Sequence, residues 1–263
     1  MRLTLLASTL VIASGTAWGA NLSAIYDLAR ANDAVYAAAQ EAYKAGLEKL
    51  PQGKALLRPT IGLSGNLRYN DSDSSLSGAQ SYNSRGLSLS LTQPLYRKQN
   101  LESYEQAKLQ VLQAEQTLKV AEQELQLRVA QAYFDVLQAQ DVLATARAQK
   151  QAYAEQLAQA RKSFEVGAAT ITDTHEAQAR YDLTTAQEIA GLNDLEVKKR
   201  ALEKIINQEA PNLALLDEQA KVLLPEPTDM NAWVKQAEAD SLAVALGRTG
   251  QELARREVDR QKG

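Results

Sequence analysis

Cysteine is missing altogether from the 263 residues, which excludes a disulfide scaffold, a thiol nucleophile and a cysteine metal site. Aromatic residues supply only 5%, with two Phe and two Trp, too few rings for an ordinary globular core of this length. Six prolines and thirteen glycines leave room for few turns. Basic residues (29) do not outnumber acidic ones (32), and the net charge is -3. The positive footprint of a nucleic-acid binder is therefore absent, and no nucleic-acid partner is expected. After the first residues no apolar run is long enough to cross a bilayer as a helix. What is abundant, within a hydrophobic share of 45%, is Ala and Leu interleaved with Gln and Glu. That is the composition of long helices packed side by side.

Residues 1–19 read as a secretory signal peptide: Met1-Arg2, an apolar run from Leu3 to Ala13, then small residues ending in Ala17-Trp18-Gly19 as the cleavage site. The run is shorter than a membrane anchor, and no positive cluster follows it. An exported chain without a spanning helix is periplasmic, secreted, or inserted in an outer membrane as strands. Helical periodicity then runs over 20–58, with a break at Asn32, a kink expected at Pro51 and Gly53, and an end at Arg58-Pro59.

Over 59–94 the period changes from 3.6 to 2. Ile61, Leu63, Gly65, Leu67 and Tyr69 alternate with Thr60, Gly62, Ser64, Asn66 and Arg68, and Leu87, Leu89 and Leu91 alternate with Ser88, Ser90 and Thr92. Residues 70–83, rich in Ser, Asp and Asn, read as an external loop. Periodicity alone favours a soluble hairpin half buried against a helix, but with the signal peptide and the helices that follow, each strand of about ten residues reads as a tilted membrane-spanning strand, with Leu63, Leu67, Leu87, Leu89 and Leu91 facing lipid and the hydroxyl residues facing water. Two strands cannot close a barrel, so others must come from elsewhere.

From Asn100 to Phe164 there is neither Pro nor Gly, and Tyr104, Val111, Leu118, Leu125, Ala132, Ala139, Ala146, Tyr153 and Ala160 recur at a spacing of seven, with a second row at Val129, Val136, Leu143, Leu157 and Phe164. A sustained seven-residue repeat predicts a coiled-coil helix, about 100 Å long at about 1.5 Å per residue. Glu165 to Ile171 ends it, and a second helix starts with Thr172 or Asp173 as its cap and stops before Pro211. The helical hairpin therefore occupies 95–208, with its tip near 165–173, and an irregular connector covers 209–229. At an offset of 208, Met230 to Asp240 matches Leu22 to Asn32, so 230–263 reads as the start of a second copy of the module. Asp173, His175 and Glu176 form a polar cluster at a helix start rather than a metal site, and no phosphate loop or nucleophile elbow occurs. No cofactor, metal or catalytic residue is expected.

These segments resemble the TolC family of outer-membrane efflux and type I secretion channels. The resemblance lies in Leu22-x-x-x-Tyr26-x-x-Ala29, Leu56-Leu57-Arg58-Pro59, Leu91-Thr92-Gln93-Pro94-Leu95-Tyr96, Ala132-Tyr133-Phe134-Asp135-Val136-Leu137, Phe164-x-Val166-Gly167 with Ile171-Thr172-Asp173, and Ala179-Arg180-Tyr181-Asp182. It implies a mainly α chain with a β-hairpin, working as a trimer whose protomers hold two repeats around a 12-stranded barrel and a periplasmic helical tunnel. It also implies a periplasmic adaptor (membrane fusion protein), an inner-membrane ABC or proton-driven transporter, and outer-membrane lipid as partners. Carried onto this sequence, Val166, Gly167 and Ala168 fall at the adaptor-facing tip, and Thr172 and Asp173 fall where the family ties helices together to close the entrance. The second repeat is almost absent, and the chain reads as a fragment or truncated product. The alternative reading is a periplasmic coiled-coil adaptor or structural protein that never enters a membrane.

Overall fold

Asn21 opens the first helix by accepting a hydrogen bond from the Ala24 backbone N–H at 2.8 Å, and α1 runs Leu22–Asn32. In the computed structural model, which describes residues 19–74, 78–216 and 226–262, the expected break falls at Asp33. Its backbone is extended, its N–H donates to the Ala29 carbonyl, and its carboxylate accepts from the Tyr36 N–H at 2.6 Å to start α2 (Ala34–Leu47). The expected kink at Pro51 and Gly53 lies earlier: α2 stops at Leu47, and α3 (Lys49–Ala55) begins after Glu48. Proline lacks an N–H, and its ring collides with the carbonyl four residues back, here that of Leu47, so the break precedes the proline by that distance. Gly53 has a different task, close approach: a Cβ there would lie 2.6 Å from the Ala107 Cβ, and one at Gly46, seven residues earlier, 2.5 Å from the Ala114 Cβ.

Strands β1 (Thr60–Ser74) and β2 (Gly78–Thr92) pair antiparallel in register from Thr60↔Thr92 to Ser74↔Gly78. The expected external loop at 70–83 is thus corrected. Asn70 pairs with Tyr82 and Asp71 with Ser81, and the ladder continues because backbone bonds hold it. Polarity on both faces had hidden this extension. The long helix α4 spans Lys98–Glu165, and α5 spans Ile171–Ile206, ending at Asn207 in the left-handed region (φ 51°). Last come α6 (Met230–Asp240) and α7 (Leu242–Lys262). The expected signal peptide lies outside the described residues, apart from Gly19, and so does the middle of the connector.

Contacts divide the chain into two units, whose described parts are 19–36 with 123–216, and 37–74 and 78–122 with 226–262. In the first unit α1 and α5 pack on the later part of α4. Leu125, Ala132, Ala139 and Ala146 from one heptad row, and Val129, Val136, Leu143 and Leu157 from the other, are buried together with Ile25, Leu202 and Ile206. Phe164, placed at the end of the second row, is instead 44% exposed, because the helix ends one residue later. Asp33 is buried and receives both guanidinium nitrogens of Arg128, at 3.0 and 3.2 Å. Two further clasps join α4 to α5: Lys198 to Asp135, and Arg147 with Lys150 to Glu188. Hydrogen bonds and charge from these cations hold the Asp135 and Glu188 carboxyls below their usual range.

In the second unit α2 and α3 approach the first part of α4 through the two glycines, and α7 lies on α4 through polar contacts. Arg256 bonds Glu102 at 3.2 Å, Gln106 donates to Glu257 at 2.9 Å, and Thr249 donates to Gln116 at 3.0 Å. Hydrogen bonds from Arg260, Gln106 and Gln261 pull the Glu257 carboxyl down to about 2. α6 copies α1 in local design: both have eleven residues, an acidic or amide N-cap (Asn21, Asp229), and an extended residue after the helix whose N–H returns to an Ala carbonyl. The copy diverges after that. Position 51 plus 208 is Asp259, not proline, and α7 runs on unbroken to Lys262.

Candidate functional site: the β-ribbon and the helical turn

Register places every large aliphatic residue of the ribbon's described part on one face, with Tyr82, opposite Asn70, on the other. Ile61 sits opposite Leu91 and Leu63 opposite Leu89, followed by Gly65–Leu87, Leu67–Arg85 and Tyr69–Asn83. The other face pairs Thr60–Thr92, Gly62–Ser90, Ser64–Ser88, Asn66–Gly86 and Arg68–Ser84. Its side chains bond one another: the Ser64 and Ser88 hydroxyls lie 2.8 Å apart, Asn70 donates to Ser84 at 3.0 Å, and Ser90 donates to the Gly62 carbonyl at 3.4 Å. The five residues expected to face lipid, Leu63, Leu67, Leu87, Leu89 and Leu91, thus share one surface with Ile61, and all six are at least 70% exposed.

That exposure is thermodynamically expensive in water. Six such side chains forgo transfer energy on the order of 10 kcal/mol, at about 1.5–3 kcal/mol each. An isolated two-stranded hairpin is marginal at best, and among the described residues β1 and β2 pair only with each other, so both outer edges are open. The ribbon carries the pattern of a barrel segment: an apolar outer face, a wet inner face, and edges that neighbours must complete.

The helical turn is built from backbone geometry. Gly167 has φ +74°, its N–H donates to the Phe164 carbonyl at 2.9 Å, and the Ala168 N–H donates to the Ser163 carbonyl at 2.8 Å. These two bonds with a left-handed residue form a Schellman cap. A Cβ on Gly167 would meet nothing within 4 Å, so the backbone angle rather than lack of space calls for glycine. The turn presents Val166 at 79% exposure, with Phe164 and Ile171 also exposed.

The start of α5 corrects the expected cap. Thr170 is the N-cap: its hydroxyl accepts from the Asp173 N–H at 3.2 Å, while the Asp173 carboxylate accepts from the Thr170 N–H and hydroxyl, each at 2.8 Å. This reciprocal box satisfies two orphan amides, and the bonds hold the Asp173 carboxyl below its usual range. Thr172 is an exposed residue inside the first turn. The structure therefore brings Asp173 to Thr170, not to Thr172. Sequence reading also passed over Thr174, whose hydroxyl oxygen is buried without a hydrogen-bond partner among the described residues. Its place in a T-x-T run at a helix start offered no signal.

The sequence model of the outer membrane efflux protein family matches residues 20–208, from the first helix through the ribbon to the end of α5. The chain belongs to this family. Curated relatives include the outer membrane protein TolC of Vibrio cholerae, 33% identical over 242 residues, which cover 92% of this chain and 55% of the relative. Another is the alkaline protease secretion protein AprF of Pseudomonas aeruginosa, 34% identical over 246 residues, covering 90% and 51%. The chain thus spans about half the length of the curated relatives it matches. Among solved structures, the outer membrane protein VceC of Vibrio cholerae aligns with a TM-score of 0.73 at 15% identity, over 92% of this chain and 58% of that one, a likeness of fold. This member of the efflux protein family is an outer-membrane protein whose described residues are mainly helical with one antiparallel hairpin, a fold that aligns with just over half of VceC.

Proposed function

We propose that the chain is a subunit of an outer-membrane channel giving passive export of proteins or small molecules across the periplasm and outer membrane, in a type I secretion or multidrug efflux system. The observation that carries this reading is the ribbon, with six exposed aliphatic side chains on one face and interbonded hydroxyls on the other. No chemistry need occur on the chain, since a wet barrel lined by Ser, Thr and Asn conducts by diffusion. In this reading residues 1–19 are a cleaved signal peptide, 95–208 the periplasmic hairpin, and 230–263 the start of a second repeat, as the shared design of α1 and α6 at an offset of 208 supports. The remaining strands come from neighbouring subunits of a trimer and from a second repeat, since three copies of one hairpin give only half of a 12-stranded barrel. Val166, Gly167 and Ala168 are the docking tip for a periplasmic adaptor, which couples the channel to an inner-membrane ABC or proton-driven transporter, and the exposed Val166 supports that role. Thr172 and Asp173 belong to the network closing the entrance, with Asp173 sharing its carboxylate between the Thr170 cap and a partner on a neighbouring helix.

The deciding experiment is fractionation. Heat-modifiable migration in the outer-membrane fraction is expected, whereas recovery in osmotic-shock fluid would establish the soluble coiled-coil adaptor instead. For the tip, Ala168→Trp, which leaves the left-handed Gly167 untouched, should abolish export while leaving membrane levels intact, and lost protein would show a folding role in its place.

A further inference from the structure

We propose that Arg85, flanked by Tyr69 and Asn83 on the apolar face of the ribbon, binds the phosphate of an anionic lipid in the outer leaflet; this rests on reading the ribbon as a membrane-barrel element. From the Ile61–Leu91 row to the Tyr69–Asn83 row this face carries one charged side chain, Arg85, opposite Leu67. Arg85 is exposed, and no hydrogen bond or ion pair to it is found among the described residues. A cation on a lipid-facing surface is unfavourable at the bilayer midplane and nearly free at its boundary. The register gives its depth. Six residue steps lead from Ile61 to Leu67, about 20 Å along a strand and about 15 Å of height at a tilt of about 40°. Below the Ile61–Leu91 row, the chain presents Leu95 and Tyr96 at 94% and 76% exposure, which extends the apolar band toward the helices. Arg85 therefore sits near the band's far edge, with its long stem free to snorkel outward.

The neighbours complete an anion seat. Asn83 lies two residues along the same strand, so its side chain leaves the same face about 7 Å away, and Tyr69, itself 68% exposed, stands diagonally across the ladder. Both can donate, and tyrosine favours the headgroup level. The planar guanidinium meets two phosphate oxygens at once. One row beyond, Asp71 opposite Ser81 is anionic, which repels a phosphate and confines it to the Arg85 and Tyr69 rows. Because the helices leave the opposite end of the ribbon, this seat faces the outer leaflet. A phosphorylated glycolipid fits it: acyl chains lie along Leu87, Leu89 and Leu91 while the phosphate meets Arg85.

The test inserts the chain into phosphatidylcholine vesicles with and without diphosphoryl lipid A, reads insertion by protease protection, and counts lipid retained after detergent extraction by mass spectrometry. Wild type should retain lipid A about fivefold above its share of the bilayer. Arg85→Gln should fall to that share, Arg85→Lys should keep part of the enrichment, and Arg68→Gln, at the same height on the wet face, should match wild type. Enrichment unchanged in Arg85→Gln, or lost instead in Arg68→Gln, overturns the proposal alone. Displacement of the lipid by inorganic phosphate assigns the site to free phosphate and also overturns it. Failure to insert in either vesicle overturns the barrel reading and this inference together.

Discussion

The ribbon and the helical layer of α1, α4 and α5 both depend on aliphatic side chains, but they leave them in opposite states. In the helical layer Ile25, Leu125, Leu202 and Ile206 are fully buried, and ion pairs clasp the helices around them. On the ribbon Leu67 and Leu87 stand 83% and 80% exposed, above a face already satisfied by its own hydroxyls. One region has found its apolar partner within the chain. The other has completed only its polar half, so its stability depends on the surrounding solvent, and a bilayer is the solvent that would complete it.

The sharpest way to break this comparison is to delete apolar atoms in each region. Leu202→Ala leaves a cavity and should cost about 4 kcal/mol, read as a lower urea midpoint of the helical signal whether or not vesicles are present. Leu89→Ala should leave the same midpoint unmoved in the absence of lipid. Within the ribbon, Leu89→Arg should destabilise the inserted form by about 3 kcal/mol if that row lies near the midplane, and Ser88→Arg by under about 1 kcal/mol. Equal effects in reversible vesicle folding would show that the two faces are not distinct.

Smaller effects sharpen the helical side. Asp33→Ala removes the buried acceptor of Arg128 together with the α2 cap, and should cost about 2 kcal/mol. Ser241→Ala, at the matching place before α7, should stay within about 0.5 kcal/mol. Differential denaturation of the two variants checks the pair. Thr170→Ala should lower stability by about 1 kcal/mol through the lost cap, with fraying of the first turn of α5 visible in amide exchange. The smallest effect is in pH. Asp173 titrates lower folded than unfolded, so its contribution is present above about pH 4 and fades as pH falls through the lowered value. Asp173→Asn should flatten that acid limb in melts recorded from neutral pH downward.

Much of this was legible in the sequence, for identifiable reasons. The long helix announced itself by the absence of Pro and Gly over its length, and the lipid-type face by strict alternation, because both signals are local. The extension of the ladder past Tyr69 was not legible, since backbone pairing needs no apolar period and Asn70 or Asp71 fits a strand that is wet on both faces. The Asp33–Arg128 clasp was invisible because its partners lie 95 positions apart. The break before Glu48 could have been placed from Pro51, had the collision been counted back to Leu47. At the turn, Thr172 and Asp173 drew attention as capping residue types, yet the cap falls on Thr170, where the chain is still extended (φ −87°, ψ 159°).

The register of the ribbon also sets rules for its genetic drift. Because side chains alternate with a period of two, inserting a single codon between Leu63 and Ser64 would turn every later residue of β1 over, setting Leu67 among the serines and Arg68 among the leucines. The same insertion after Asn70 would leave the apolar rows alone and disturb only rows polar on both sides. Insertions and deletions should therefore accumulate toward the turn and be purged toward the helices, giving the ribbon a tolerant tip and an intolerant stem.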